Sequence, residues 1–466
     1  MEVISYLNIE VAGFAFQKLE TLTIQHKPNQ HAVAEVVGEI ASDKAADMVK
    51  RIDEMALVKI TTTAEGQEGT LFCGCVNGIT LEQANDYSRI RLSLCSTSRL
   101  LDSTHINRSY QNTKKSYNQI LSENIAAVGD LHMMVTDKQI GTLIMQYKET
   151  DWEFIKRMAS RLQAPVIANL QSERPQIYIG LPPSSGEVPI DTTSYSYGND
   201  NESQAKDAGS MPQDYSEEQV QSYQYAYIGG LVTFNGNERC IKSVYAYLKD
   251  GILQMQYGLL HAEAASGRGL SGIAVPETVN VHASGKMMIG IVEEVKGTDV
   301  RVHLTGIDET FDSSGDWWFP FSTAYSSSDG SGWYCMPEVK DEVRVFFPSG
   351  EEGEAFVASS VCSYAPVKTR DKSWKAPGGK EILLTDEGIC IICKQGSIYI
   401  DMKDETGITI YADKNISIAS EANIDITASN AVHVMADNEI IIGTETAYMA
   451  LSKTEALLTA EEIRIE

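Results

Sequence analysis

Short apolar runs broken by turn residues fill the first hundred positions of the chain. Within residues 3–100, apolar and polar side chains alternate with a period of two, as in LVKI at 57–60 and RIRLSL at 89–94. Such alternation is typical of β-strands that bury one face. The pattern therefore predicts antiparallel strands in a small barrel, interrupted by a short helix at 45–52.

Two helices with clear start signals follow. The sequence SYNQ at 116–119 and the sequence TDWE at 150–153 both have the form of a capping box, in which two side chains satisfy free backbone groups of the first turn. In the second helix, Trp152, Ile155 and Met158 fall on one face. We expect these three side chains to pack in a core and the helix to end before Pro165.

Residues 182–222 change character, because Ser, Gly, Asp and Asn replace the aliphatic residues. This composition predicts a mobile insertion. Strand-like sequence resumes over 225–260, with Asn235-Gly236 as a hairpin turn. Residues 1–262 are thus predicted to form one domain, built of two β-barrels with two or three helices.

A second β unit is expected after a Gly-, Ala- and Ser-rich linker at 263–284. Five or six short strands within about 80 residues favour a small barrel of the OB type. A basic connector with Pro and Gly follows this unit. The predicted OB domain spans 285–363, the connector spans 364–380, and the strands are expected at 287–295, 299–304, 341–347 and 354–361.

The C-terminal segment, 381–466, repeats every eight residues. From position 407 it reads GITIYADK, NISIASEA, NIDITASN, AVHVMADN and EIIIGTET, with an apolar residue at the second and fourth place of each octad. Each octad therefore predicts a strand with one apolar face, followed by a corner. The ten apolar residues are Ile408, Ile410, Ile416, Ile418, Ile424, Ile426, Val432, Val434, Ile440 and Ile442.

An eight-residue repeat is too short to close a coil or to bury its own apolar pair, so it must stack on neighbours. Three chains wound together would each supply one side and would leave no lateral strand edge. The pattern therefore predicts a homotrimer with a triple-stranded, intertwined β-helix as a needle at 381–466. The alternative is an ordinary antiparallel meander, which has no reason to keep a strict register of eight.

Composition narrows the possible partners. The chain has 38 Lys and Arg and 64 Asp and Glu, which gives a net charge of −26. This charge argues against binding to nucleic acid and against binding to an anionic membrane surface. The N-terminus has no basic and apolar pattern of a signal peptide, and no apolar run reaches the length of a membrane span. We expect a protein assembled in the cytoplasm, with its eight cysteines reduced.

No residue set predicts catalysis, a cofactor or a metal. The eight histidines form no H-E-x-x-H pattern, and His433 is expected to face water. Cys390 and Cys393 are a lone C-x-x-C, which is a weak zinc signal without a second pair. Asp341 and Glu342 are neighbours in a predicted strand and therefore point to opposite faces, unlike the paired carboxylates of a glycosidase.

The OB unit resembles a known family. Its sequences WFP at 318–320, GWYCMPEV at 332–339 and DEVRVF at 341–346 are similar to the signature W-x-P … G-x-Y/W-x-x-P-E-x-G-D-E-V-x-V-x-F of VgrG-type and phage spike proteins. The matching positions include Trp318, Pro320, Pro337 and Glu342. One departure is Lys340, which stands where the family has Gly.

Two further features carry the same resemblance. The sequence ETDWEFIKR at 149–157 resembles the hub motif of this family, and RSYQN at 108–112 resembles it more weakly. The order of barrels, OB domain and octad repeat is also the family's order. The chain is therefore identified as similar to the late control protein D and baseplate spike family of contractile injection systems.

The resemblance implies a non-enzymatic central hub and spike. Its expected partners are two further copies, tail-tube and baseplate proteins, a separate tip protein on the needle, and the envelope of the target cell on firing. The parent machine is expected to be a phage tail or a phage tail-like particle. The alternative function is a carbohydrate-active β-helical tail spike, a lyase or glycosidase, although octads are too short to form a substrate groove.

Overall fold

The computed structural model describes residues 2–41, 56–83, 87–184, 186–190, 192–199, 216–267, 269–362, 368–394 and 396–464. The helix predicted at 45–52 lies outside these ranges. The chain divides into two compact units, 1–363 and 364–466. No helix of the described residues is long and apolar enough to cross a lipid bilayer.

The first unit opens with six antiparallel strands, several of which alternate between buried and more exposed side chains. In the strand formed by LVKI and the next two residues, Val58, Ile60 and Thr62 are buried, as the period of two predicts. The six strands are β1 (Ile9–Val11), β2 (Lys18–His26), β3 (Val33–Ile40), β4 (Leu57–Thr62), β5 (Gly69–Gln83) and β6 (Ser88–Ser96).

Two helices and five short strands come next. The first helix, α1 (Tyr117–Ile125), and the second, α2 (Asp151–Arg161), start directly after the predicted capping residues and share one hydrophobic cluster. Strands β8, β11 and β10 form a small sheet, and β7 pairs with β9. The bounds are β7 (Ile106–Tyr110), β8 (Asp130–Met133), β9 (Ile144–Glu149), β10 (Val166–Ala168) and β11 (Gln176–Ile179).

Five later strands return to the first sheet. The predicted turn at Asn235-Gly236 is confirmed, because both residues have positive φ angles, 52° and 73°, as a two-residue hairpin turn requires. These strands are β12 (Ser194–Asn199), β13 (Ser216–Ser222), β14 (Leu231–Phe234), β15 (Asn237–Lys249) and β16 (Ile252–His261).

The two predicted barrels share one sheet. Strand β2 pairs with β15, and the eleven strands follow the order β1-β4-β5-β6-β3-β2-β15-β16-β13-β12, with β14 attached to β15. One hydrophobic cluster spans both parts and includes Leu22, Phe72, Ile241 and Tyr257. The two parts of this sheet therefore share one hydrophobic core, while α1 and α2 pack in a cluster of their own.

The flanks of the predicted insertion, 182–222, belong to this sheet. Strands β12 and β13 pair with each other, β13 pairs with β16, and Val220 is buried. These flanks are therefore regular structure, in contrast to the expectation from their composition. Residues 200–215 lie outside the described ranges, and mobility of the insertion stays a prediction.

The OB domain is a five-stranded antiparallel barrel-like sheet in the order β19-β18-β17-β20-β21. Its core contains Val292, Val302, Phe319 and Val345, and the hub strand β9 adds Met145 to the same cluster. The predicted strand positions agree with the structure within two residues at each end. The bounds are β17 (Lys286–Lys296), β18 (Asp299–His303), β19 (Phe319–Pro320), β20 (Glu342–Phe347) and β21 (Phe356–Ser360).

The predicted linker at 263–284 is packed rather than loose. Ile273, Val275, Asn280 and Ala283 are buried, and the backbone N–H of Val275 donates to the carbonyl of Ala164. The segment contains two short 3-10 helices, Ala262–Ser266 and Ser271–Ile273. Its Gly- and Ser-rich start is compatible with these tight turns, so composition alone gives the wrong picture of its order.

The second unit has two short meanders and an extended stretch between them. The first meander holds five antiparallel strands and the last holds three. The first strand of this unit, β22, lies within the predicted connector, 364–380. The strands are β22 (Lys372–Ala376), β23 (Lys380–Thr385), β24 (Gly388–Lys394), β25 (Ile398–Lys403), β26 (Gly407–Ala412), β27 (Glu439–Gly443), β28 (Tyr448–Ser452) and β29 (Ala456–Thr459).

The stretch between the meanders keeps the eight-residue period. Segments without regular secondary structure at 415–420, 423–428 and 431–436 alternate with two-residue bends, and no residue of 414–438 makes a backbone–backbone hydrogen bond to another described residue. In the single chain, residues 372–412 and 439–459 therefore form antiparallel meanders, as the alternative prediction states. The octads between these two ranges have no strand partner among the described residues.

Candidate functional site

The hub helix α2 is fixed at its start by reciprocal hydrogen bonds. Thr150 Oγ1 accepts from the backbone N–H of Glu153 at 3.1 Å, and Glu153 Oε2 accepts from the backbone N–H of Thr150 at 2.9 Å. The structure buries Trp152, Ile155 and Met158 together in the cluster of α1 and α2. These three residues therefore anchor the helix.

A Ser-His-Asp arrangement lies at the same helix start. The ring of His31 stacks on Trp152 at 4.3 Å, with Nδ1 2.7 Å from Ser98 Oγ and Nε2 3.3 Å from Asp102 Oδ2. Asp102 Oδ1 in turn accepts from Thr150 Oγ1 at 2.5 Å. Burial lowers the pKa of His31, although the Asp102 carboxylate opposes the effect.

This arrangement does not fit a hydrolase. Ser98 is 1% exposed, so a substrate cannot reach its hydroxyl. The chain of hydrogen bonds instead connects the loop after β2 to the first turn of α2 through the 3-10 helix Thr97–Asp102. Its role in this geometry is to hold the helix start against the sheet.

A buried ionic cluster occupies the other side of α2. Arg157 donates to both carboxylate oxygens of Glu149 and to Glu352 Oε1, each at 2.7 Å, and to the carbonyl of Met145 at 2.8 Å. Arg161 donates to Glu352 Oε2 at 2.7 Å. Burial acts to raise the pKa of Glu149, and its bidentate contact with Arg157 acts to lower it.

The predicted OB-motif residues are spread over the barrel rather than gathered at one point. Trp318 is half-buried with Lys296 Nζ 5.8 Å above its ring, and Pro320 pairs with Asp299 at the edge of the sheet. Pro337 is buried, and Glu342 starts β20 opposite Ile291. These positions are typical of residues that shape strand ends and turns.

Lys340 has a backbone conformation that suits the Gly of the motif that this sequence resembles. Its φ angle is +79°, in the left-handed region that favours glycine, and its backbone N–H donates to the carbonyl of Val292 at 2.7 Å. The Lys340 ammonium contacts the Glu293 carboxylate. An exposed ion pair of this kind contributes little stability, so Lys340 keeps a strained backbone without a comparable gain.

An ordered hairpin at 322–335 displays aromatic side chains. The backbone N–H of Trp333 donates to the carbonyl of Tyr325 at 2.9 Å, and the hydroxyl of Tyr334 donates to the carbonyl of Gly297 at 2.9 Å. Trp333 is nevertheless 61% exposed and Tyr334 is 70% exposed. Rigid, exposed aromatic residues are enriched at protein interfaces.

The needle residues are apolar and open to solvent in the single chain. Nine of the ten are between 51% and 73% exposed, and Ile440 is half-buried. Among the described residues of 364–466, Ala450 is the one buried hydrophobic side chain. The unit therefore lacks a hydrophobic core of its own.

The structure brings no metal-binding set together among the residues that it describes. Cys390 is half-buried and Cys393 is exposed, whereas Cys73 and Cys75 are buried in β5. His433 is exposed in the third unpaired segment.

Comparison with known proteins identifies two domains. Residues 34–162 match the family of the phage tail baseplate hub (GPD), and residues 288–361 match the type VI secretion system/phage-baseplate injector OB domain. Together they define a structural hub-and-spike protein of contractile injection systems. The predicted VgrG-type resemblance is confirmed by these matches and by the fold described next.

Solved structures share the fold at low sequence identity. The E. coli c3393 protein, a type VI secretion component similar to the T4 bacteriophage tail proteins gp27 and gp5, has a TM-score of 0.53 at 13% identity, covering 76% of this chain and 99% of that chain. A chain of the half-lidded Francisella PdpA-VgrG complex has a TM-score of 0.51 at 9% identity, covering 86% and 87%. The lidless form of this complex gives 0.51 at 10% identity, covering 86% and 97%. No curated protein sequence matches the chain.

Sequence reasoning missed the ionic cluster and the His31 contacts. Glu352 lies 195 positions from Arg157 along the chain, so no local pattern connects them. One signal was available: Arg157 interrupts the apolar face of α2, which predicts a buried charge that needs a partner.

Proposed function

We propose that three copies of this chain form the central hub and spike of a contractile injection machine. Residues 1–262 form the hub that joins tail-tube and baseplate proteins, 285–363 form the OB domain, and 381–466 form the needle, with 263–284 and 364–380 between them. The needle leads through the envelope of the target cell when the machine fires. The two family matches and the shared fold support this proposal.

The observation that carries the trimer is the unpartnered octad stretch. Backbone N–H and C=O groups at 414–438 have no backbone partner among the described residues, and the paired apolar side chains beside them are exposed. Three chains wound around one axis would give the backbone groups hydrogen-bond partners, because each strand would gain neighbours. They would also bury the apolar side chains, because each apolar pair would meet two others. The fixed period of eight provides the same geometry at every level.

The interface must also overcome charge repulsion. Each copy carries a net charge of −26, so three copies repel one another at low ionic strength. Apolar burial along the needle and the aromatic hairpin at 322–335 would supply the opposing attraction.

We further propose a non-enzymatic role and assembly in the cytoplasm as part of a phage tail or phage tail-like particle. The buried Ser98 and the net charge of −26 support a protein that neither hydrolyses a substrate nor binds nucleic acid. A separate tip protein would cover the end of the needle. Incubation of the purified protein with peptidoglycan and capsule is expected to release no reducing ends, and their release would favour the carbohydrate-active alternative.

Light scattering coupled to size-exclusion chromatography tests the trimer. The expected mass is three times 51.2 kDa, and it should persist at high ionic strength because the interface is apolar. A folded monomer with a cooperative unfolding transition would refute the proposal.

A further inference from the structure

We infer that Arg157 and its carboxylate partners fix the orientation of the OB domain on the hub, so that the two domains move as one rigid body. This inference rests on the proposed function for its mechanical meaning. Its geometry lies entirely within the unit 1–363 and is independent of the number of chains. We call the group Glu149, Arg157, Arg161 and Glu352 the ionic clasp.

The clasp joins elements that are distant in sequence. Arg157 belongs to the hub helix α2 and Glu149 ends the hub strand β9, whereas Glu352 lies in the 3-10 helix Glu352–Glu354 between the OB strands β20 and β21. Glu352 accepts from Arg157 with one oxygen and from Arg161 with the other, each at 2.7 Å. The OB domain is thus held by two cations of one hub helix.

Burial makes this contact strong and directional. The side chains of Arg157 and Glu352 are 2% and 0% exposed, so neither can exchange its partner for water. Removing one member of such a pair leaves an uncompensated buried charge, which is strongly destabilising. The bidentate contact with Glu149 fixes the plane of the Arg157 guanidinium within the hub. Arg157 and Arg161 then each hold one oxygen of Glu352, which sets the direction as well as the distance of the contact between the domains.

The backbone approaches closely at the same place. A Cβ atom on Gly353 would lie 2.3 Å from Thr142 Oγ1 of the hub, so a side chain here would push the domains apart. Asn280, from the packed segment before the OB domain, donates to the carbonyls of Met145 and Tyr147 at 3.3 Å and 3.4 Å. Three segments therefore meet at the clasp.

A second seam prevents rotation about the clasp. Asp308 of the OB domain accepts from the backbone N–H and the hydroxyl of Ser109, at 2.7 Å and 2.5 Å. Asp316 accepts from the backbone N–H and the hydroxyl of Thr113, both at 2.8 Å. The clasp and this second seam are separate polar contacts, and the hub and the OB domain also share an apolar core. Together these contacts fix the OB domain on the hub in all directions.

Hydrogen exchange measured on the full chain tests this inference, with Glu352→Gln as the variant and Glu351→Gln as the matched control. Glu351 neighbours Glu352 and contacts the same Arg161 at 3.2 Å, but it is half-exposed. We expect Glu352→Gln to speed exchange at 109–113 and 143–149 by at least about tenfold, while β2 and β3 keep their protection. Glu351→Gln should exchange like the wild type.

Exchange at the second seam, 109–113, distinguishes an effect of Glu352 on domain orientation from an effect on the stability of its own loop. A residue that only stabilises its own loop would change exchange near 349–355 and leave 109–113 unchanged, and that result would overturn the inference. If Glu352→Gln does not fold, Arg161→Gln removes one of the two contacts of Glu352, and it should give the same pattern at smaller amplitude. Light scattering measures the mass of each variant and so shows whether the trimer forms. Loss of the clasp changes the exchange pattern, whereas failure of the proposed assembly changes the mass, so the two outcomes are distinguishable.

Discussion

The octad register makes a sharp prediction at two adjacent positions. Ile424 and Asp425 are neighbours in the second unpaired segment. In an extended strand their side chains would point to opposite faces. In a threefold needle, Ile424 from three chains would share a dry core and Asp425 would face water. The substitution Ile424→Asp and its matched control Asp425→Lys therefore change the same strand on opposite faces.

The magnitude follows from the surface that remains to be covered. Ile424 is 51% exposed in the single chain. Full burial of an isoleucine contributes about 1.5–3 kcal/mol, so covering the remaining half contributes about 1 kcal/mol per chain and about 3 kcal/mol per trimer. Three carboxylates close to one axis add a larger penalty, because each loses hydration and each repels the others.

Resistance of the trimer to SDS and heat is the assay. Ile424→Asp is expected to lower the temperature at which the trimer band disappears and to give poorly formed needles. Asp425→Lys reduces the net negative charge of each chain by two and should leave the resistance almost unchanged. Equal behaviour of the two variants, or the reverse order, would refute the assigned register.

Three further predictions concern the hub and the OB domain. Trp152→Ala should cost about 3–5 kcal/mol in thermal unfolding because it removes a buried aromatic ring, whereas Lys156→Ala on the same helix should cost little. Burial lowers the pKa of His26 from 6.5 to about 4, so stability should fall by about 3 kcal/mol as the pH drops between these values. The variant His26→Leu should lack this part of the pH dependence, and an unchanged slope would contradict the assignment. Lys340→Gly should raise the unfolding free energy by about 1 kcal/mol by relieving its positive φ, and a loss of stability would show that the ion pair with Glu293 matters more.

Local patterns predicted the parts of the fold that local physics determines. The capping residues Ser116 and Thr150 mark the helix starts, because a helix N-terminus needs acceptors for its free N–H groups. Asn235-Gly236 marks a hairpin because few other dipeptides accept two positive φ angles. The octads predict a repeating stretch because the period of eight is visible directly in the sequence.

Long-range pairing could not be predicted in this way. Nothing local indicates that β2 pairs with β15, more than two hundred positions later, and so joins the two expected barrels. The contact between Arg157 and Glu352 is equally remote. The packing of the segment 263–284 could not be predicted either, because its Gly and Ser residues permit a flexible linker and tight turns equally well.

The shared core of hub and OB domain limits where this protein can be cut and recombined. A chimera joined near residue 272 would take the OB barrel away from Leu143 and Met145, which belong to its core, and would break every contact with α2. A junction directly after residue 363 leaves that core complete and transfers only the second unit, 364–466. The exchangeable part of the molecule is therefore the spike with its octads, while the hub and the OB barrel have to be inherited together.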